Sequence, residues 1–473
     1  MDHETIASLS RVLEYAKSFI ESRAGRPVWP HASLADLRTA LGGALPDHPV
    51  APTSVIDDLT TAADPGVVTT TGPRYFGFVT GGAVPATVAA EWLTAVWDQC
   101  AGLYVLSPAA AVVEEIAGAW LLDVLGLPSS ASVGFVTGCH MANFTALAAA
   151  RHELLARAGW NVERDGLAGA PPIGVIVGAE VHVSVIGALR LLGFGSARVI
   201  RVGADGQGRM RPDTLDQALL QNDAPAIVCA QAGNVNTGAF DPLDAIADAV
   251  QSHGGWLHVD GAFGLWAAAS KARRHLVRGV ERADSWATDA HKWLNVPYDS
   301  GLVFTAHPAA HRAAMCLDAE YLVRSALEPR EPMDWTPESS RRARGFAVYA
   351  ALRSLGRGGI DDLVDRCCRL AARFAERLRA EPGIAILNEV VLNQVLVRVA
   401  PPGRPGKDAD AATREALRLV QEERVCWLGG TRWHDMDAMR ISVSNWSTTE
   451  ADIDRSAESI IRAVRAVKVS QSH

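Results

Sequence analysis

The most informative stretch of the sequence reads Asp284-Ser285-Trp286-Ala287-Thr288-Asp289-Ala290-His291-Lys292-Trp293. Its lysine lies between a histidine and a tryptophan, a setting unlike that of an ordinary solvated surface amine. Upstream, Leu257-His258-Val259-Asp260-Gly261-Ala262 has the form of a short buried strand that ends in a carboxylate. A lysine that forms a Schiff base and an aspartate that holds a ring nitrogen are the two groups that a pyridoxal phosphate site requires.

Taken singly, Lys292 would be interpreted as a surface cation and Asp260 as a residue that caps a turn. Together they favour the functional interpretation, because Asp260 would keep the pyridine nitrogen protonated and make the ring an electron sink. Burial would lower the pKa of Lys292 and free its nucleophilic amine. Ala262 is small enough to leave room beneath a flat ring. We therefore predict pyridoxal 5′-phosphate as the cofactor.

A strand, a glycine turn and an alanine-rich helix follow one another in residues 135–150. Because the N-terminus of a helix attracts anions, we predict that the backbone N–H groups of Gly138, Cys139 and His140 bind the cofactor phosphate. His182 comes directly after another strand candidate. We predict that its imidazole stacks on the cofactor ring and helps to align the substrate carboxylate. A core or capping role is the alternative for this histidine.

Short apolar runs bounded by glycine alternate with helical stretches from about Pro85 to Thr305. This alternation predicts an α/β fold with a mostly parallel sheet that is covered on both faces. After about residue 335 the pattern changes to that of a smaller α+β domain. We therefore predict an extended N-terminal segment (1–84), a large cofactor-binding domain (85–335) and a small C-terminal domain (336–473). The strand candidates of the large domain are residues 133–136, 173–177, 197–202, 226–230, 256–259 and 300–304.

The bulk composition excludes several classes of function. The 473 residues are 48% hydrophobic and 21% charged, which is enough for a large core. A net charge of −8 without a dense run of lysine or arginine argues against nucleic acid as a partner. The longest apolar stretch, residues 108–128, is interrupted by Glu114, Glu115 and Asp123, so we expect no membrane-spanning segment.

The cysteines and the N-terminus indicate a reducing compartment. The seven cysteines are odd in number and form no C-x-x-C pair, so the sequence predicts neither a disulfide framework nor a metal site. The first residues are acidic rather than basic, which argues against a secretory signal. We therefore expect a cytoplasmic protein.

In order along the chain, these motifs resemble those of the group II pyridoxal-phosphate-dependent amino-acid decarboxylases, the family of aromatic-amino-acid, histidine and glutamate decarboxylases. The resemblance extends from about Gly72 to Asn445, and its most specific parts are 260–262 and 289–293. It implies a fold type I enzyme that acts on an L-amino acid through an external aldimine and a quinonoid. It also implies that His291 and Lys292 both contact the cofactor.

The resemblance further implies a homodimer with the active site at the subunit interface. The N-terminal arm would cover the neighbouring subunit, and Tyr104, within residues 101–108, would reach the other subunit's pocket. The adjacent aromatics Tyr75 and Phe76 are enclosed by glycines. They are interpreted either as part of the substrate pocket or as a packed loop.

Three departures from the family pattern affect the chemistry. His140 stands where the family has a small hydroxyl-bearing residue, and Asn234 takes the place of a threonine, where it would contact the cofactor or the substrate carboxylate. Between Tyr321 and Tyr349 the chain has no tyrosine, whereas eukaryotic relatives protonate the substrate carbon with one, at a place near Pro332 here. His182 or a neighbouring subunit's Tyr104 would have to supply that proton.

The leading hypothesis is a carboxy-lyase that decarboxylates an L-amino acid. The missing tyrosine leaves two other reactions open, namely decarboxylation coupled to oxidative deamination to an aldehyde, and β-elimination. A non-catalytic homologue that binds the cofactor is the alternative from another class. Aromatic residues around the predicted pocket favour an aromatic or bulky substrate side chain.

Overall fold

The computed structural model describes residues 2–317, 330–400 and 406–470. The helices are α1 (Asp2–Ser22), α2 (Leu34–Leu41), α3 (Pro52–Ala63), α4 (Pro85–Trp97), α5 (Pro108–Val124), α6 (Cys139–Arg157), α7 (Val162–Asp165), α8 (Val183–Leu191), α9 (Pro212–Leu220), α10 (Leu243–Ser252), α11 (Pro308–Met315), α12 (Gly345–Arg379), α13 (Lys407–Glu423) and α14 (Glu450–Ser470). The strands are β1 (Ser132–Val136), β2 (Gly174–Gly178), β3 (Ile200–Val202), β4 (Ala226–Gln231), β5 (Trp256–Asp260), β6 (Ser285–Asp289), β7 (Gly301–Thr305), β8 (Ile384–Ile386), β9 (Gln394–Val399), β10 (Gly429–Trp433) and β11 (Met436–Ser442).

A seven-stranded sheet with the order β1-β7-β6-β5-β4-β2-β3 forms the larger part of the fold. The five adjacent strands β6, β5, β4, β2 and β3 pair in parallel. Strand β7 runs antiparallel to both of its neighbours, β1 and β6. The α/β fold predicted from the sequence is confirmed. All six predicted strands are present, although β3 begins only at Ile200, and the structure adds β6 in the stretch before Lys292.

The sheet brings several strand ends to one edge. Because β1 and β6 are both antiparallel to β7, the carboxyl ends of β1, β2, β4, β5 and β6 point the same way. In register, Gln231 of β4 pairs with Asp260 of β5, and Asp260 pairs with Ala287 of β6. Ligands bind at this edge of open parallel sheets.

The core contains the fully buried tryptophans Trp256, Trp266, Trp286 and Trp293. Large buried aromatic rings supply much of the apolar area that stabilises a core. Trp266 also donates its indole N–H to the backbone oxygen of Asp289 at 3.1 Å. Core packing and the end of β6 are therefore held by the same side chain.

The C-terminal part of the chain forms a second, antiparallel sheet with the order β10-β11-β9-β8. Helices α12 to α14 accompany it, as the α+β pattern predicts. The helix predicted from Ser340 begins at Gly345 and bends at Gly356, whose φ of 58° favours glycine. The proposed boundaries at residues 84 and 335 remain predictions.

The N-terminal segment lacks a core of its own, since none of the residues of α1, α2 and α3 is buried. The prediction missed α2 and α3, although both carry sequence signals. Ser33 and Asp36 form a capping box at α2, and Pro52 occupies the first turn of α3. Among the described residues, no helix combines the length and the hydropathy needed to cross a membrane.

His311 makes the stability of this fold depend on pH. The ring is fully buried, with Nδ1 2.8 Å from Ser132 Oγ and Nε2 donating to the backbone oxygen of Trp335 at 3.1 Å. Burial lowers the pKa of His311 to about 3. The unfolded chain binds a proton below about pH 6.5, while the folded protein does not. Stability from this group is therefore complete above about pH 6.5 and is lost as the pH falls toward 3.

We expect His311→Gln to reduce the loss of stability on acidification. Between pH 7.5 and pH 5, the free energy of unfolding of the wild type should fall by about 2 kcal/mol more than that of the variant. Urea unfolding at the two pH values measures both changes, so any constant destabilisation by the substitution cancels. Equal falls in the two proteins would contradict this role of His311.

Candidate functional site

A small cavity lies at the carboxyl edge of the seven-stranded sheet. Lys292, Asp260 and His182, which the sequence predicts to act together, all line it. They come from three separate parts of the chain: the turn after β6, the end of β5 and the start of α8. The full lining consists of His182, Gln231, Gly233, Val235, Asp260, Ala262, Phe263 and Lys292.

Lys292 is ion-paired with a carboxylate that carried no assigned role in the sequence analysis. Its Nζ lies 2.9 Å from Asp289 Oδ2, and the Asp289 side chain is only 2% exposed. Burial lowers the pKa of Lys292, but the charge of Asp289, the hydrogen bond to Asp289 and the charge of Asp260 outweigh it and raise this pKa to about 12. The prediction of a lowered lysine pKa is therefore wrong for this arrangement, because burial brings Asp289 into contact with the amine.

Asp289 also contacts the predicted phosphate loop. Its Oδ1 accepts the backbone N–H of Cys139 at 2.6 Å, and His291 Nε2 lies 3.4 Å from the same oxygen. One of the three predicted phosphate donors is thus engaged by a carboxylate. The remaining N–H groups in the first turn of α6 have no acceptor within the helix, as at every helix start.

Gly138 precedes α6 in a crowded position. A Cβ built on Gly301 would lie 2.4 Å from Gly138 Cα, so the backbones of β7 and the loop approach each other closely. A Cβ on Gly138 would lie 3.2 Å from His291 Cε1. Glycine at both positions therefore lets the α6 N-terminus approach the end of the sheet.

Asp260 is buried at the end of β5 and accepts three hydrogen bonds. The donors are Ala262 N at 3.1 Å, Asn143 Nδ2 at 3.3 Å and Cys139 Sγ at 3.4 Å. Burial, followed by the charge of Asp260, raises the pKa of the Cys139 thiol well above its usual value, so the thiol stays protonated and can donate. The three donors hold the Asp260 carboxylate in one orientation.

His182 is a capping residue, the alternative that the sequence left open, and it also lies in the cavity, while its stacking on the cofactor ring stays a prediction. It is the N-cap of α8, where its Nδ1 accepts from Ser184 N at 3.3 Å and lies 2.8 Å from Ser184 Oγ. It also lines the cavity with Lys292 and Asp260. Burial is the largest influence on the pKa of His182 and lowers it, so the ring is neutral at pH 7.

His291 lies beside the α6 N-terminus rather than in the cavity lining. Its Nδ1 accepts the backbone N–H of Ser300 at 3.1 Å, and its ring stacks on Tyr298 with centroids 4.3 Å apart. Burial lowers its pKa. His291 is therefore placed near the predicted phosphate position.

The structure does not bring Tyr75 or Phe76 to the described cavity. Tyr75 stacks on Trp427 with ring centroids 5.0 Å apart, and Phe76 is buried in the core edge-to-face with Phe374 at 5.3 Å. Both side chains therefore pack as the loop interpretation expects. Tyr104 is half-buried, and its backbone N–H donates to the carboxylate of Glu331 at 2.6 Å.

Asn234 and His140 also lie outside the cavity lining. Asn234 Oδ1 accepts the backbone N–H groups of Asn236 at 2.9 Å and Thr237 at 3.2 Å, which makes it a turn-forming residue. His140 is exposed, and its ring lies against α8, where a Cβ on Gly187 would come within 2.9 Å of His140 Nε2. The stretch between Tyr321 and Tyr349, which has no tyrosine, lies partly outside the described residues. Pro332, near which the family's tyrosine would stand, is described and buried.

Several residues of the site were not predicted from the sequence. Gln231 ends β4 and lines the cavity, so the strand-end rule that identified Asp260 could also have found it. Asp289 ends β6, a strand that was not predicted from the sequence pattern. Phe263 and Val235 contribute apolar walls and carried no distinguishing signal.

The residues present fit a bound pyridoxal 5′-phosphate. Asp260 and Asp289 are both buried, and Asp289 is already ion-paired with Lys292. A buried carboxylate such as Asp260 favours a cation beside it, and a protonated pyridine nitrogen is one. The start of α6 offers N–H groups for an anion close to Lys292.

Comparison with known sequences identifies related proteins. Residues 35–400 match the sequence model of the pyridoxal-dependent decarboxylase conserved domain. The chain is 30% identical over 343 residues to the acidic amino acid decarboxylase GADL1 of Mus musculus. The aligned region covers 71% of this chain and 62% of that relative. The chain is also 30% identical over 393 residues to the L-2,4-diaminobutyrate decarboxylase of Rhizobium meliloti, covering 82% and 76%. The match therefore spans less than two thirds of the length of the GADL1 relatives.

Two solved structures share the whole fold at low sequence identity. The crystal structure of Oryza sativa TDC with PLP and tryptamine superimposes with a TM-score of 0.92 at 22% identity and covers 98% of both chains. That of Rhodiola rosea 4-hydroxyphenylacetaldehyde synthase gives 0.87 at 21%, again covering 98% of both. At these identities the likeness shows the fold alone.

Proposed function

Because the chain belongs to the family of pyridoxal-dependent decarboxylases, we propose that it removes the α-carboxylate of an L-amino acid. The family and the cofactor predicted from the sequence are confirmed, and the reaction is the proposal. The observation that carries it is the meeting of Lys292, Asp260 and His182 in one cavity.

Each charged group has a distinct role in this proposal. Lys292 would hold the cofactor covalently, Asp260 would keep the ring nitrogen protonated, and the N-terminus of α6 would bind the phosphate. When bound, the cofactor supplies the electron sink for the bond that breaks at Cα. Asp289, 2.9 Å from the Lys292 amine, holds it as an ammonium, which has to lose a proton before the amine can bind the cofactor covalently.

His182 would lie over the ring and return a proton to the substrate carbon after carbon dioxide leaves. Its Nδ1 is engaged by Ser184, so the nitrogen left for the cavity is Nε2. The chain has no tyrosine between Tyr321 and Tyr349 for this task. The partner subunit's copy of Tyr104 is the second candidate donor.

The cavity walls bear on the substrate. Apart from Lys292, Asp260, His182 and Gln231, the lining is made of glycine, alanine, valine and phenylalanine. This supports an amino acid with an aromatic or bulky apolar side chain. The related proteins carry names that refer to acidic, diamino and aromatic substrates, so kinship alone selects none of these classes.

We also propose a cytoplasmic homodimer with the active site at the interface. Helices α1 to α3 expose large apolar side chains that a partner subunit would cover. The seven cysteines are odd in number and form no C-x-x-C pair, which supports a location in the reducing cytoplasm. The exposed apolar side chains include Ile6, Leu9, Leu13, Ile20, Leu34, Leu41, Val55 and Leu59.

A panel of L-amino acids tests the reaction. We expect the cofactor-loaded protein to release carbon dioxide and the matching amine, with the highest rate for an aromatic or bulky side chain. Carbon dioxide with aldehyde, ammonia and peroxide under dioxygen would establish oxidative deamination instead. The missing tyrosine and the fold shared with an aldehyde synthase support this second candidate.

Two other outcomes would contradict the proposed reaction. Elimination products without carbon dioxide would make the protein a β-eliminating lyase. Cofactor binding without turnover of any amino acid would identify a non-catalytic homologue.

A further inference from the structure

Asn143 lies where two hydrogen-bonded branches meet beside the cavity. Its Nδ2 is 3.3 Å from Asp260 Oδ2 and 3.2 Å from Ser184 Oγ, and its Oδ1 is 2.9 Å from His258 Nε2. The side chain is fully buried on α6, away from water. Both ends of this amide are therefore engaged by protein groups.

Donor and acceptor roles along the network follow from the Asp260 carboxylate. Asp260 as a carboxylate can only accept, so the amide nitrogen of Asn143 faces it, and the amide oxygen must accept from His258 Nε2. At the other end, Trp256 Nε1 can only donate, and it does so to Ser285 Oγ at 2.9 Å. Ser285 Oγ lies 2.9 Å from His258 Nδ1. Since Nε2 of the neutral ring carries the proton that it donates to Asn143, Nδ1 accepts the hydroxyl proton of Ser285.

The environment of His258 agrees with this neutral state. Burial lowers the pKa of His258 to about 4, although the charge of Asp260 acts in the opposite direction. The ring is fully buried, so no water competes for either nitrogen. His258 therefore presents a fixed N–H donor to Asn143 at neutral pH.

The second branch runs through Ser184 to His182. Ser184 Oγ accepts from Asn143 and lies 2.8 Å from His182 Nδ1, to which it donates its own proton. The backbone N–H of Ser184 donates to the same nitrogen at 3.3 Å. Two donors on Nδ1 leave the ring proton of His182 on Nε2.

We propose that Asn143 is a positioning residue that sets two groups of the site at once. It orients the Asp260 carboxylate directly, and through Ser184 it holds His182 as the tautomer with its proton on Nε2. Neither Asn143 nor Ser184 is among the residues that line the cavity. The catalytic consequence rests on the proposed function: the buried amide of Asn143 would position both Asp260, the partner of the ring nitrogen, and His182, the proton donor.

The branch to His182 is tested on the protein without added cofactor. The tautomer is read by NMR from protein labelled with ¹⁵N in its histidine rings. The signals of His182 are assigned as those that disappear in the His182→Gln variant. We expect a single Nε2–H tautomer in the wild type. Ser184→Ala, which leaves only the 3.3 Å backbone contact, should show both tautomers. Ser184→Thr keeps the hydroxyl and should restore the single form.

The branch to Asp260 is tested by equilibrium binding of pyridoxal 5′-phosphate to His258→Leu and His258→Gln. His258 does not line the cavity, but leucine removes the donor that holds Asn143 and lets the amide turn. We expect the dissociation constant to rise on the order of tenfold, as for a lost hydrogen bond to a charged group. His258→Gln can still donate to Asn143 and should retain most of the affinity.

Specific outcomes overturn the proposal. Mixed His182 tautomers in the wild type, or an unchanged tautomer in Ser184→Ala, would overturn the branch to His182. The branch to Asp260 would be overturned if the affinities of the two His258 variants for pyridoxal 5′-phosphate differed only as their thermal midpoints do. Failure of the proposed function looks different, because the wild type would then release no carbon dioxide from any L-amino acid, whether or not it binds pyridoxal 5′-phosphate. The tautomer measurement decides the branch to His182 in either case.

Discussion

Replacement of Lys292 by alanine is expected to give a folded protein that loses pyridoxal 5′-phosphate on dialysis and is colourless afterwards. Any decarboxylation that remains with excess cofactor should be slower by roughly 10²–10⁴-fold, the usual contribution of a positioned acid–base group, or by more. The reason is that Lys292 is the amine in the cavity, where it faces both Asp260 and Asp289. Absorbance spectra after dialysis and initial rates measure the two effects.

Two controls separate this role from loss of charge or of folding. Lys292→Arg keeps a cation beside Asp289 but cannot hold the cofactor covalently, so it should be stable and colourless. Lys271→Ala changes an exposed lysine and should behave as the wild type. A Lys292→Arg protein that keeps its colour through dialysis would refute the assignment.

Substitution of Asp260 by asparagine is expected to leave the cofactor bound but to slow the reaction by roughly 10²–10³-fold, the range found when one preorganised electrostatic partner is removed. The variant keeps a side chain of the same size, and Lys292 is unchanged. The negative charge that would hold the ring nitrogen protonated is lost, so the electron sink is weaker. Steady-state rates together with cofactor content per subunit separate these effects.

Asp216→Asn is the matched control, because Asp216 is an exposed carboxylate on α9, outside the cavity lining. It should have the wild-type rate and cofactor content. Asp260→Glu keeps the charge and should be less impaired than Asp260→Asn. If Asp260→Asn retained the wild-type rate while fully loaded, Asp260 would have no part in the chemistry.

The parts of the site that the sequence predicts are those set by strand order. Asp260 ends β5 and His182 closely follows β2, and parallel strands bring such ends to one edge of the sheet whatever the details of packing. Lys292 follows β6 at the same edge. Apolar runs were sufficient to find the strands next to Asp260 and His182, whereas Lys292 was found from its place between a histidine and a tryptophan.

The parts that the sequence did not reveal depend on contacts between distant segments. Tyr75 packs on Trp427, more than 300 residues away, and this contact takes the ring out of the cavity. The ion pair between Lys292 and Asp289 depends on the turn after β6, which no pattern in the sequence defines. The network of Asn143 likewise joins α6, α8 and β5, so only the folded arrangement assigns it a role.

The most direct test of the central claim is to map the lysine that holds the cofactor. The chain has only five lysines, Lys17, Lys271, Lys292, Lys407 and Lys468, so each can be followed in a digest. The wild type would be loaded with pyridoxal 5′-phosphate, reduced with borohydride, digested and analysed by mass spectrometry. We predict that the pyridoxyl group is found on the peptide that contains Lys292. Modification of another lysine instead, or of none, would contradict the account.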